Sequence, residues 1–222
     1  MGENSNIKNI VILLAAGTGS RFGSEVHKQF YKIDGKEIIA YSIEQLRKVG
    51  NMDKLLVVLE ESEVESGEIA SRYGVETVTG GSSRAESFNN ALEYISQNYS
   101  SCENVIFHEA ARPLVKSDVF ERYFELLKDY DYIESCKRIT DSLGSYIEGV
   151  FKREDFYLIQ APEAYRFRLL KDNFDVNSDI YFAAQQLPKG SKGYQYFDIQ
   201  NNYKLTYPED IGIIRYMLTF LE

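Results

Sequence analysis

The feature that most constrains this chain is the apolar run Ile10-Val11-Ile12-Leu13-Leu14-Ala15-Ala16, broken at once by Gly17-Thr18-Gly19. A strand apolar at consecutive positions must be covered on both faces, whereas a half-exposed strand alternates. The run is too short to span a bilayer, and Glu3 rather than a basic cluster precedes it, so it reads as a buried strand. Residues 54–59, 76–79 and 104–108 repeat the strand signal. Between them, residues 38–49 and 86–95 place apolar side chains at helical offsets, the second with Phe88, Ala91, Leu92 and Ile95. This alternation predicts an α/β fold, a mostly parallel Rossmann-like sheet wrapped by helices, with ligands at the carboxyl ends of the strands.

Beyond Arg138 the pattern weakens. Residues 145–160 are aromatic and β-prone around Gly149, which reads as a projecting hairpin. Residues 169–174 and 181–187 read as short helices, and Pro208-Glu209-Asp210 opens a last helix running to Leu221. No internal repeat or low-complexity linker interrupts the chain, so one domain over residues 1–222 is expected.

Charge and cysteine usage narrow the partners. With 25 Lys+Arg against 34 Asp+Glu the net charge is −9, a field that repels nucleic-acid backbones, so any bound phosphate must be held by a local basic patch. Cys102 and Cys136 stand far apart with no CxxC spacing, and the two histidines, His27 and His108, are too few for a His-rich metal site. Met1-Gly2 opens like a myristoylation signal, but Asn6 stands where Ser or Thr is wanted. A cytoplasmic protein with no membrane partner is expected.

The chemistry concentrates in Leu14-Ala15-Ala16-Gly17-Thr18-Gly19-Ser20-Arg21-Phe22. Small residues after a strand let backbone amides approach an anion, and Arg21 adds a fork of donors. The turn has neither the GxxxxGK[ST] pattern of a P-loop nor the third glycine of GxGxxG. Lys28 follows closely, a suitable point charge for a triphosphate. By themselves these residues fit a packing turn and a solvated lysine as well as a phosphate site.

The first segment, continued through Lys28-Gln29-Phe30 and Gly35-Lys36, resembles the opening of the cytidylyltransferases that make CDP-methylerythritol and CDP-ribitol. Gly80-Gly81-Ser82-Ser83-Arg84-Ala85-Glu86-Ser87 is similar to that family's GGxxRxxS segment, and His108-Glu109-Ala110-Ala111-Arg112-Pro113 to its HDAARP. Gln160-Ala161-Pro162-Glu163 stands for its QTPQ, and Asn202 to Asp210 for its NxKxTxPEDL. Five motifs in order make a specific match. Glu109 replaces the motif's Asp, and Ala161 and Glu163 replace its Thr and second Gln.

The resemblance implies a nucleotidyltransferase fold with a projecting β-arm. It also implies an enzyme in which a substrate phosphate attacks the α-phosphorus of CTP and pyrophosphate leaves, with Mg²⁺ held mainly by the phosphates and no protein metal site. Arg21, Lys28 and Lys204 would be the catalytic cations. Ala15, Ala16, Gly17, Thr18, Gly19, Gly81, Ser82 and Ser87 would hold CTP, and Glu109, Arg112 and Arg166 the acceptor. His108 is expected as a satisfied histidine at a strand end. Residues 141–160 would form a short arm that meets the partner of a homodimer.

That arm is shorter than the family's usual one, and Lys137-Arg138-Ile139-Thr140-Asp141 replaces a segment that usually reads VPVxDT. These departures favour a small polyol phosphate acceptor, ribitol 5-phosphate or a glycerol phosphate, and a product used for surface polysaccharide. Methylerythritol phosphate and isoprenoid synthesis is the alternative, with a catalytically inactive nucleotide-binding protein as the third reading.

Overall fold

The apolar run forms the strand β1 (Asn9–Leu14) and pairs in parallel with a strand on either side. These neighbours are β4 (Lys54–Leu59) and β6 (Asn104–Glu109). The computed structural model describes residues 6–17, 19–23, 27–180 and 182–221. Ahead of β4 lie a small antiparallel pair, β2 (Lys32–Ile33) and β3 (Lys36–Glu37), and the helix α1 (Ile38–Leu46). Between β4 and β6 come α2 (Glu61–Ser66), α3 (Glu68–Tyr73), β5 (Glu76–Thr79) and α4 (Arg84–Asn98). The chain continues through α5 (Ser117–Leu126), β7 (Tyr132–Arg138), β8 (Tyr157–Arg166), α6 (Phe167–Asn173), β9 (Gly193–Tyr196) and α7 (Asp210–Leu218).

Among the described residues the main sheet has seven strands in the order β5-β4-β1-β6-β8-β7-β9. Only β8 runs against the rest, pairing antiparallel with both β6 and β7. Alternate side chains of β1 serve the two faces. Val11 and Leu13 pack with Ile39 and Ile43 of α1 and Phe120 and Tyr123 of α5; Ile10 and Ile12 pack with Phe88 and Ile95 of α4 and Leu170 of α6. Both faces are therefore buried, as consecutive apolar residues require. On the α4 face the rings of Phe88 and Phe107 stack with centroids 3.6 Å apart, which fixes the first turn of α4 over β6. A third cluster, Phe22, Ile33, Ile38, Ala111, Leu114, Leu205 and Ile214, gathers the Gly-rich turn, the end of β6 and α7 at the carboxyl edge of the sheet.

The segment read as a projecting hairpin over residues 145–160 differs. Residues 139–156 contain no strand and only a 3-10 turn at Arg153–Asp155, while the pairing is made by β7 and β8 themselves, ending at Arg138 opposite Tyr157. Tyr146, Ile147 and Val150 are exposed here, since the segment reaches past the sheet and finds no surface of its own fold to cover them. The stretch read as helix from residue 181 is a 3-10 turn at Ala183–Gln186; Tyr181 lies outside the described residues. Among the described residues no helix is long and apolar enough to cross a membrane.

Candidate functional site at the carboxyl edge of the sheet

Strands β1, β4, β5 and β6 all end at one edge, and a cavity of about 680 Å³ opens there between the segments that follow them. The first wall is the Gly-rich turn. Ala15 N–H donates to Val58 O at 2.8 Å, and the buried Gln29 donates through Nε2 to Ala15 O at 2.7 Å, so the turn is tied both to β4 and to the Lys28 segment. Gly19 has φ +68, in the left-handed region, and a Cβ there would sit 3.3 Å from Lys28 Cγ. Glycine thus permits both the backbone conformation and the close approach of the lysine. Ala15, Ala16, Gly17 and Lys28 line the cavity; Arg21 is exposed on the adjoining 3-10 turn, and Thr18 lies outside the described residues.

The second wall is the loop into α4. Ser83 caps the helix by accepting from Glu86 N–H at 3.1 Å, and Glu86 reaches back to accept from Ser82 N–H at 2.6 Å and Ser82 Oγ at 2.7 Å. This reciprocal capping fixes the loop before any ligand arrives. Gly81 N–H donates to the buried Ser87 Oγ at 3.1 Å, so the amides of Gly81 and Ser82 are both engaged within the loop. A Cβ on Gly80 would lie 2.5 Å from Ala16 Cβ, which shows how closely the two walls meet.

The third wall carries the charge. Glu109, the last residue of β6, accepts from Lys204 Nζ at 2.8 Å and Arg112 Nε at 2.9 Å, with Arg84 Nε at 4.0 Å. Burial alone would push this carboxyl up, but Lys204, Arg112 and Arg84 outweigh it and hold it at about 2. Lys28 shows the opposite balance: burial first, then the charges of Lys204, Arg21 and Arg112, lower its pKa, while Glu109 opposes them. Repulsion among these cations is what a bound polyanion would relieve. Lys204 is placed by Leu205, buried in the third cluster, whose N–H donates to Ala111 O at 2.8 Å.

Two of the expected acceptor residues sit elsewhere. Arg112 is 8% exposed, and besides Glu109 its guanidinium donates from Nη1 to Asn202 O at 3.0 Å; it fastens the end of β6 to the Lys204 segment from behind the cavity wall. Arg166 ends β8, which runs against β6, so it pairs opposite Asn104 at the far edge of the sheet and donates to Lys128 O and Tyr130 O. Its place there follows from the antiparallel course of β8, which its own segment does not reveal.

Glu60, Glu61 and Thr79 also line the cavity and belong to none of the matched motifs, while Gln29, Gly80 and Arg84 stand in those motifs without a role assigned to them individually. Arg84 had a legible signal. A cation at the first position of a helix opposes the helix dipole and calls for a carboxylate partner. It finds Glu163 of β8, whose side chain is 2% exposed.

Among the described residues no cluster of three or more His, Cys, Asp and Glu could hold a metal ion. Glu60, Glu61 and Glu109 are the carboxylates lining the cavity, and Glu109 is already committed to Lys204 and Arg112. Among the described residues these donors therefore make no resident metal site.

His108 is buried beside this site. Its Nε2 lies 3.1 Å from Arg112 O, an atom that can only accept, so Nε2 carries the proton; Nδ1 has no hydrogen-bond partner. Burial, then the Arg112 charge, lower its pKa from 6.5 to about 4. The unfolded chain takes up this proton below pH 6.5 and the folded one only near pH 4, so stability present above pH 6.5 is lost as the pH falls through that window. His108→Gln, which keeps a donor for Arg112 O and cannot titrate, should abolish about 3 kcal/mol of that loss. Urea melts of both proteins at pH 7 and pH 4 check it, and equal losses would show that His108 does not carry it.

A family model described as IspD, 2-C-methyl-D-erythritol 4-phosphate cytidylyltransferase, matches residues 9–219. A protein of the same description from Clostridium botulinum (strain 657 / Type Ba4) is 30% identical, over 92% of this chain and 94% of its own. Among solved structures, the bifunctional IspDF from Campylobacter jejuni matches with a TM-score of 0.78 and 29% identity, over 92% of this chain and 53% of that one. The 4-diphosphocytidyl-2C-methyl-D-erythritol synthase from Anaerococcus prevotii DSM 20548 has a TM-score of 0.80 over 96% of each chain, at 18% identity a likeness of fold. These findings overturn the expected ribitol 5-phosphate or glycerol phosphate acceptor and the surface-polysaccharide role. That expectation leaned on departures in residues 137–160, yet the family match runs through them, so such departures fall within the family's own variation. With its five ordered motifs gathered on one edge of the sheet, the chain is a cytidylyltransferase and belongs to the 2-C-methyl-D-erythritol 4-phosphate cytidylyltransferase family.

Proposed function

We propose that the protein transfers CMP from CTP to 2-C-methyl-D-erythritol 4-phosphate. An oxygen of the acceptor phosphate forms a bond to the α-phosphorus of CTP, the bond from that phosphorus to the β-phosphate bridging oxygen breaks, and pyrophosphate leaves with the electron pair. The attacking phosphate is already ionised near pH 7, so the chain's task is to gather and neutralise charge rather than to move a proton. The observation that carries this reading is the meeting of Lys28 and Lys204 in one cavity between two Gly-rich walls. Burial first, and then the neighbouring charge of Lys204, lowers the pKa of Lys28, and a polyanionic ligand would offset that second cause. Arg21, beside Lys28, adds a third cation to the triphosphate.

Ala15, Ala16, Gly17, Gly19 and the Gly81–Ser87 loop would hold the base and ribose. Glu109 would hold Lys204 toward the reacting phosphate, and Arg112 would support Glu109 in doing so. Mg²⁺, bound to the triphosphate oxygens, would supply further charge compensation. The exposed Tyr146, Ile147, Val150 and Phe156 support a homodimer built on residues 141–160, which would bury them against a second copy. Buried free thiols at Cys102 and Cys136 support a cytoplasmic location.

The deciding assay is pyrophosphate release with CTP and a panel of acceptors. 2-C-methyl-D-erythritol 4-phosphate should give the highest kcat/KM and a chelator should abolish turnover; a higher value for ribitol 5-phosphate would reverse the assignment. In the same assay Lys28→Ala should lower kcat by about 10²-fold, the equivalent of ~3 kcal/mol of transition-state charge stabilisation, with the melting temperature little changed. Light scattering at micromolar concentration should return the mass of two chains, and a monomer would remove the dimer.

A further inference from the structure

The two acidic departures from the motifs, Glu109 for Asp and Glu163 for Gln, are far apart in sequence but meet on one guanidinium. Arg84 pairs through Nη2 with Glu163 and lies with Nε 4.0 Å from Glu109, its plane resting over the Phe88 ring at 4.5 Å. Glu163 is held in turn by the hydroxyl of the fully buried Tyr165, two residues along β8 on the same face. The carboxylate of Glu163 is thus fixed from behind, at a depth where an uncompensated charge is strongly disfavoured. Glu109 is a contested acceptor. Lys204 at 2.8 Å and Arg112 at 2.9 Å already use it, and Arg84 is the third cation within reach.

We infer that Glu163 is a positioning residue: by holding Arg84 back, it leaves Glu109 free to place Lys204. Among the described residues the other carboxylate that acts on Arg84 is Glu109, and a guanidinium, which can present two N–H donors to one carboxylate, competes well against an ammonium for the same oxygens. Lys204 is then displaced from the point where it meets the reacting phosphate. The longer side chain at position 109 is what makes this competition possible, since an aspartate there would withdraw the carboxylate from Arg84 by a methylene. Glu109 and Glu163 therefore act as a coupled pair through Arg84.

The inference rests on the reading that Lys204 meets the phosphate being attacked, so turnover of CTP by the unaltered protein is measured first. An inactive protein there would refute that reading, not this one. Glu163→Gln keeps the size and hydrogen bonding of the side chain and removes its charge. It should lower kcat about tenfold while leaving KM for CTP within about threefold, because the displaced group acts on the reacting phosphate. Glu109→Asp combined with Glu163→Gln should be faster than Glu163→Gln alone, because the shortened carboxylate no longer attracts Arg84. A merely structural role for Glu163 would lower the melting temperature and leave kcat per folded molecule unchanged, so each variant is checked by circular dichroism and assayed below its melting transition. A Glu163→Gln kcat within about twofold of the unaltered protein, or a double variant no faster than Glu163→Gln, would overturn the inference.

Discussion

One carboxylate lets this site exist. Glu109 stands among Lys204, Arg112 and Arg84, with Lys28 close enough to feel both it and Lys204. Without that negative charge the cations on the cavity wall would repel one another in a half-buried setting where water screens little. With it these cations can be held together at one wall of the cavity in a protein of net charge −9. The protein-wide charge is spread over the surface and screened within about 10 Å in ordinary salt, while the cluster acts at contact distance.

The fold delivers these groups to one place by sheet topology. Parallel strands β1, β4, β5 and β6 end at a common edge, so the segments that follow them converge although they are far apart along the chain. Lys204 arrives differently. It sits on an irregular segment pinned by Leu205 in the third apolar cluster and by Asp210, whose carboxylate accepts from the amides of Thr206 and Tyr207 at 2.8 Å. Burial of a few side chains beside the sheet is thus what places a charge against the end of β6. Arg112 reinforces this from behind through Asn202.

Two kinds of rigidity meet at the cavity. The loop at residues 80–83 is closed by its own hydrogen bonds to Glu86 and Ser87 and by steric contact with Ala16, so its shape is set before a ligand enters. The cation wall is set by mutual attraction through Glu109, and it can be rearranged by changing one carboxylate, because several donors compete for the same acceptor.

Local pattern made much of the nucleotide half legible. Consecutive apolar residues in β1 announced a sheet covered on both faces. Lys28 and Lys204 were singled out on motifs, and both line one cavity. These features survive in sequence because each depends on neighbouring residues or on a motif of fixed spacing. Strand β7 was missed, since its buried Glu134 and Ser135 break the apolar run; those groups are satisfied by Tyr157 and Tyr123, partners the local sequence does not display. Arg166 was placed at the wrong edge and residues 145–156 were given strands they do not have, because strand direction and the lack of a neighbouring surface are properties of the assembled sheet. The sequence by itself determined the two-faced sheet, the Gly-rich turns and the cations. The tertiary structure alone decided which carboxylate each cation meets, since a charge pair at contact distance is made by side chains whose separation along the chain carries no information about their separation in space.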